Sequence, residues 1–309
     1  MNNQKKIELQ RLMWMANVQA FYPDKMTAEL QTGYQRWQEH RQTFQRLYVE
    51  QQPETKEIVV DKLETLHPGI LFTFHFGPYR LLPRLLVAAG YRLTLLVSAT
   101  VLEREQESYR LMLSRMGLSP EHFECLDAGD PLVLRKLLHA VAMDRIVLVF
   151  LDANESSVKM QEKERAGRLR VPFGGSYFYW RSNLLKLAHR YDLPVQAIHL
   201  KPDGAGTTQS WQLAEPKVIL NGGSKTPEAL LEALTSLQQT FQEMIDLDWT
   251  AWENWALIHH YLEADSKNTR GLTRQGGWMF PFSFTDKAYL FDLFNKRFYE
   301  IIANKEKFN

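Results

Sequence analysis

The chain has a single cysteine, Cys125, among its 309 residues, which excludes an internal disulfide and any cysteine-rich zinc site. It also lacks an excess of either charge, since 37 Lys and Arg stand against 36 Asp and Glu. A general nucleic-acid binder carries a basic surplus, so nucleic acid is not an expected partner. No run approaches the ~18 apolar residues needed to span a bilayer, and the first residues lack a signal-peptide layout. A Gly-x-Ser-x-Gly elbow, a Walker-type loop and a Gly-x-Gly-x-x-Gly following a strand are all missing. Support for a serine hydrolase and for nucleotide or dinucleotide cofactors is therefore absent, and no cofactor is expected. The length allows one large domain or two small ones. The expected location is cytoplasmic, with peripheral contact to the inner membrane as the alternative.

What is present begins with helical periodicity. Ile7, Leu9, Leu12, Met13, Met15 and Ala16 predict one helix, and Tyr34, Trp37, Phe44, Leu47 and Tyr48 predict a second over 32–51. Packing on a core is the ordinary reading. An interfacial anchor using Trp14, Phe21 and Tyr22 is the alternative, disfavoured by the few basic residues nearby. From about Leu66 short apolar runs alternate with helical stretches. Strands are predicted over 69–74, 93–97, 146–151 and 195–200, and helices over 81–89, 102–116, 132–142 and 184–191. Fully apolar strands alternating with helices imply an α/β fold with a largely parallel or mixed central sheet covered by helices on both faces. A short strand at 217–220 and a helix opened by Pro227 follow. Residues 263–277 read as a polar linker, and a helix is expected from Asp286 to Asn304, N-capped by Thr285. Three parts result: a helical segment at 1–65, an α/β domain at 66–262, and the linker with an aromatic helix at 263–309.

Ligands of parallel α/β sheets bind beyond the carboxyl ends of the strands. That rule selects His75, Ser98 and Asp152, each just past a predicted strand, with Gly77 beside the histidine. A histidine is largely neutral at pH 7 and can take a proton from an attacking hydroxyl or amine. Cys125 has no neighbours that mark a nucleophile and reads as a small buried residue.

The run Pro68-Gly69-Ile70-Leu71-Phe72-Thr73-Phe74-His75-Phe76-Gly77-Pro78-Tyr79-Arg80, the strand ending at Asp152, and the block Val171-Pro172-Phe173-Gly174-Gly175 occur in that order. This arrangement over residues 60–260 resembles the lysophospholipid acyltransferase superfamily, most closely its bacterial lipid A late acyltransferase branch. The resemblance implies acyl transfer from a thioester donor, acyl-carrier protein or acyl-CoA, with His75 as base. It also implies a region where arginines such as Arg115 meet substrate, and a Trp- and His-bearing end of the catalytic domain. Trp249, Trp252 and Trp255, followed by His259-His260, stand at that end here. The Trp period of three reads as a core stripe, and no third metal ligand accompanies the histidines, so no metal is expected.

The sequence departs from the family at one position. Five residues after His75 the family has Asp or Glu, and this chain has Arg80. A guanidinium cannot orient the imidazole as a carboxylate does, and its charge lowers the histidine's pKa. Three explanations stand. Another acid, Asp152 first and Glu155 next, orients His75; or a reactive nucleophile needs less help while Arg80 binds a substrate anion; or catalysis is lost. Arg168 and Arg170, in the basic segment 159–170, are candidate contacts for donor phosphates, with a solvated loop as the ordinary reading. Gly174 and Gly175 are candidates for bringing a backbone amide to the thioester oxyanion. The expected function is acyl transfer to a hydroxyl or amine, in specialised metabolite or lipid biosynthesis. A noncatalytic acyl- or carrier-binding module and a thioester hydrolase are the alternatives.

Overall fold

The computed structural model describes residues 3–50, 58–59, 63–152, 168–203, 210–223, 225–258, 278–285 and 287–301. The chain opens with two helices, α1 (Asn3–Phe21) and α2 (Thr27–Glu50). Trp14, Val18 and Phe21 of α1 and Leu30, Tyr34 and Trp37 of α2 fall at three- and four-residue spacings and are buried, as an amphipathic helix on a core requires. Trp14 meets Tyr34, Trp37 and Trp249 with ring centroids 5.6, 6.0 and 5.6 Å apart. The anchor alternative therefore fails for Trp14 and Phe21, which lie inside the protein.

The remaining strands in chain order are β1 (Ile58–Val59), β2 (Gly69–Thr73), β3 (Leu93–Val97), β4 (Phe123–Asp127), β5 (Ile146–Phe150), β6 (Arg168–Phe173), β7 (Ser176–Arg181), β8 (Val195–Ala197), β9 (Leu200–Pro202), β10 (Trp211–Leu213), β11 (Lys217–Leu220), β12 (Met279–Phe284), β13 (Lys287–Asp292) and β14 (Arg297–Glu300). Between them run α3 (Leu82–Ala88), α4 (Ala99–Arg115), α5 (Val133–Ala142), α6 (Asn183–Tyr191) and α7 (Pro227–Leu247). The central sheet has the order β11-β8-β2-β5-β3-β4. Its pairs are parallel except β11 with β8, so the expected α/β fold with a mixed, mostly parallel sheet is what the chain forms. Every residue of β2 is buried, which accounts for its uninterrupted apolar run. One buried core joins α1 residues, the central sheet, α7 and the Trp segment.

Several elements differ from the sequence expectation. β4 carries Glu124 and Asp127 among its apolar residues, which masks the run. The strand expected over 195–200 is broken at Ile198-His199, so that β8 stays in the central sheet while β9 pairs with β10 in a small one. The expected C-terminal helix is instead a three-stranded antiparallel sheet, β12-β13-β14. Phe280 and Phe282 of β12 and Phe291 of β13 point inward at period two, and Thr285 and Lys296 turn the chain with φ of 47° and 53°. Aromatics spaced by two, three and four residues fit either period, and the turns decide for strands. Asp286 and the linker 263–277 lie outside the described residues. Among those described, no helix is long and apolar enough to cross a membrane.

Candidate active site

β2 and β5 lie side by side in parallel, and their last paired residues are Thr73 and Phe150. Two residues beyond each end stand His75 and Asp152. Equal offsets from a shared register place these two groups together, and His75 Nδ1 lies 2.9 Å from Asp152 Oδ1. A carboxylate only accepts hydrogen bonds, so the proton of this pair sits on Nδ1. Nε2 is then the basic nitrogen, and it has no hydrogen-bond partner among the described residues. The His75 side chain is 19% exposed and Asp152 only 1%, so the carboxylate stands behind the ring rather than facing the crevice.

A buried carboxylate needs donors, and Asp152 has several. The His75 backbone N–H donates to both carboxylate oxygens at 3.1 and 3.0 Å. Trp252 donates its indole N–H to Oδ2 at 2.6 Å. Asn254 donates to Oδ2 at 3.2 Å and to the Asp152 carbonyl at 2.8 Å. The segment carrying both residues is held against the His75 turn by backbone bonds, Gly77 N–H to Ala251 O at 3.0 Å and Glu253 N–H to His75 O at 2.9 Å. Phe76 and Trp252 form an isolated antiparallel bridge at the same place.

Burial, the largest single influence, lowers the pKa of His75, while the charge and the hydrogen bond of Asp152 raise it. Glu253 adds to the rise and Arg80 opposes it, and the net shift is upward from 6.5. The lowering expected from Arg80 is present but does not decide the net shift. The guanidinium does act in that direction, and the nearer carboxylate outweighs it. Asp152 thus stands in the orienting position that Arg80 cannot fill.

His75 borders a cavity of about 950 Å³. Leu95, Val133, Leu137, Phe150, Leu184 and Leu257 give it apolar walls, while Tyr79, Arg80, Ser98 and Glu253 give it a polar portion. Tyr79 meets the His75 ring edge-on with centroids 4.7 Å apart. Burial first and then Glu253 hold its hydroxyl well above the ordinary 10.0, with Arg80 opposing, so the phenol keeps its proton. Arg80 donates from Nε to the Tyr79 hydroxyl at 3.2 Å and from Nη1 to Gln45 at 3.4 Å. Tyr79, Arg80 and Glu253 also line a second cleft of about 320 Å³ against α2.

The other expected contacts are dispersed. Ser98 borders the cavity but serves as N-cap of α4, its hydroxyl accepting from Val101 N–H at 3.4 Å. Gly77 faces the second cleft and its amide is already bonded to Ala251, so it offers no donor to a substrate. Arg115 ends α4 and lines neither cleft. On the same helix Arg104 borders the cavity and pairs with Glu105 at 2.9 Å. Gly174 and Gly175 line neither cleft; they turn against α1, and the Gly175 amide donates to Phe21 O at 2.5 Å. Arg170 is exposed and stacks 3.8 Å over the Tyr177 ring. Arg168 contributes backbone to β6; its side chain, Glu155, residues 159–167 and His259-His260 lie outside the described residues. Cys125 is pushed up to about 12, first by burial and then by Glu124, which suits an inert thiol.

Trp252, Asn254, Tyr79 and Glu253 complete the site without having been singled out as functional in the sequence. Trp252 was legible only as part of a core stripe, and it is fully buried. No spacing signal connects it to a carboxylate 100 positions earlier. No protein-family model matches the chain, and no curated protein matches it.

Proposed function

We propose that this chain is an acyltransferase that moves an acyl group from a thioester donor, acyl-carrier protein or acyl-CoA, to a hydroxyl or amine. The reading includes membership of the lysophospholipid acyltransferase superfamily, which rests on the motifs around His75, Asp152 and Pro172-Phe173-Gly174. One observation carries it: an Asp152-oriented His75 borders an apolar cavity large enough for an acyl chain. Burying that chain supplies about 0.8 kcal/mol per methylene.

His75 Nε2 takes the proton of the attacking hydroxyl or amine as its oxygen or nitrogen bonds to the thioester carbonyl carbon. Asp152 stabilises the imidazolium formed, as the acid of a triad does. The Tyr79 hydroxyl accepts from Arg80 Nε, and its pKa is raised first by burial and then by the charge and hydrogen bond of Glu253. On substrate binding its proton turns from that carboxylate to the developing oxyanion. The C–S bond then breaks, the carbonyl reforms, and the proton held by His75 passes to the departing thiolate. Arg80 meets an anionic group of a substrate.

The test is thiol release from a panel of acyl-CoA and acyl-carrier-protein donors, with mixed nucleophiles added. Wild type is expected to release thiol and form acylated product, and His75→Ala to do neither. Release with free fatty acid as the sole product would instead make it a thioester hydrolase. Binding of a donor without release would leave a noncatalytic module.

A further inference from the structure

We infer that the smaller cleft against α2 is the acceptor site, and that it takes a small amine carrying a carboxylate, an amino acid by chemical class. The inference rests on the acyl transfer proposed above.

The cleft and the acyl cavity share Tyr79, Arg80 and Glu253, and His75 is bonded through its carbonyl to the Glu253 amide at 2.9 Å. The two spaces therefore adjoin along Tyr79, Arg80 and Glu253, and His75 borders the larger one. The two spaces differ in character. The larger one has the apolar walls described above, whereas polar side chains crowd the smaller, among them Gln38, Arg41, Gln42, Gln45 and Thr250. Its volume of about 320 Å³ lies at the low end of small-molecule sites.

Charge defines the ligand. Arg41 and Arg80 face this cleft, and Glu253 is the one carboxylate in its lining. Arg41 is stacked 4.8 Å over the Trp37 ring, while Arg80 is held by the neutral oxygens of Tyr79 and Gln45. Neither guanidinium has a carboxylate within ion-pair distance among the described residues. Arg36, on the same helix as Arg41, is already paired with Asp248 at 3.0 Å. Two planar cations held by stacking and hydrogen bonds, of which Arg80 also feels the more distant Glu253 and Glu105, suit a ligand carboxylate. Glu253 lies on the His75 side and accepts a hydrogen bond from the ligand's amine. The amine nitrogen, having lost its ammonium proton to water, attacks the thioester carbon. A C–N bond forms, the C–S bond breaks, and His75 carries the displaced N–H proton to the thiolate. One acyl thioester and one amino acid give one N-acyl amino acid and one thiol.

Two measurements test this. Binding of glycine, L-serine, L-glutamine and β-alanine is followed by calorimetry without donor, beside glycinamide, which lacks the carboxylate. At least one amino acid should bind, glycinamide should not, and Arg41→Gln should weaken binding about tenfold or more, the worth of a charge-assisted hydrogen bond. Thiol release with a fixed donor should then rise with the same amino acid, and Arg41→Gln should raise the KM for that acceptor while leaving the donor KM unchanged. Equal binding of glycinamide, no binding of any of the four, or a donor KM raised by Arg41→Gln would overturn the acceptor assignment. Carboxylate-selective binding with no thiol release from any donor would overturn the acyl transfer reading and leave the cleft's carboxylate selectivity standing.

Discussion

Trp252 donates its indole N–H to Asp152 Oδ2 over 2.6 Å, on the oxygen opposite the one that meets His75 Nδ1 at 2.9 Å. The carboxylate is thereby held from both sides. Trp252→Phe keeps the ring and removes the donor. It should cost about 1–3 kcal/mol of stability, the usual penalty for stripping a partner from a buried polar group, and lower kcat by loosening Asp152. The apparent pKa of the pH–rate profile should move upward, because the carboxylate keeps more of its charge for His75. Chemical denaturation and the pH profile check the two effects separately.

Asp152→Asn removes the charge that raises His75. With burial and Arg80 left to act, the imidazole pKa should fall below its present raised value, visible in the His75 Hε1 shift by NMR titration. Thiol release should fall on the order of 10³-fold or more, because the amide favours the wrong tautomer. In the wild type the folded pKa lies above 6.5, so the pair stabilises the protein fully below 6.5 and ceases to do so as pH rises through the folded value. Activity follows the opposite course, rising with pH as Nε2 is freed.

His199 behaves in reverse. Burial first, then Lys201 and Lys217, lower its pKa from 6.5 to about 4. The folded protein therefore holds it neutral where the unfolded chain would protonate it. The stability it contributes should decline as pH falls from 6.5 to about 4. His199→Gln should flatten that stretch of a stability–pH curve measured by urea unfolding.

Gly77 has φ of +61°, and a Cβ there would lie 2.5 Å from Cζ3 of the buried Trp211 ring. Gly77→Ala should cost about 1–3 kcal/mol from strain alone, plus the displacement of Trp211, and should disturb His75 two residues away. Gly117 has φ of +65° with nothing within 4 Å, so Gly117→Ala supplies the control for strain without a clash. Thermal melts and thiol release of the two variants separate the terms.

Arg80→Glu would recreate the spacing of the family that the sequence resembles. Since Asp152 already occupies His75 Nδ1, no gain in kcat is expected, and the acceptor KM should rise more than it does in Arg80→Gln. A gain in kcat would show that the position five residues after His75 governs the base.

Most of the central layer was legible because buried parallel strands carry their own signature. β3 and β11 fall at the residues where the apolar runs stand, and His75 and Asp152 follow from the rule of strand ends. What could not be read was long-range. Nothing local marks Trp252 or Asn254 as partners of Asp152, since their roles arise from the backbone bridge at Phe76. Gly174 and Gly175 suggested an oxyanion loop by composition, and the structure spends them on a turn that fits under Phe21. The C-terminal aromatics misled because residues such as Phe291 and Phe298, which touch at 4.8 Å across two strands, also satisfy helical spacing.

The acid–base pair is a product of chain closure. Its two members stand 77 positions apart, and the indole that steadies them comes 100 positions later still. The donors that satisfy the buried Asp152 carboxylate are complete only when the segment through residue 254 has bridged back to Phe76. The full set of contacts on Asp152 is thereby completed only when the last of three distant segments has docked.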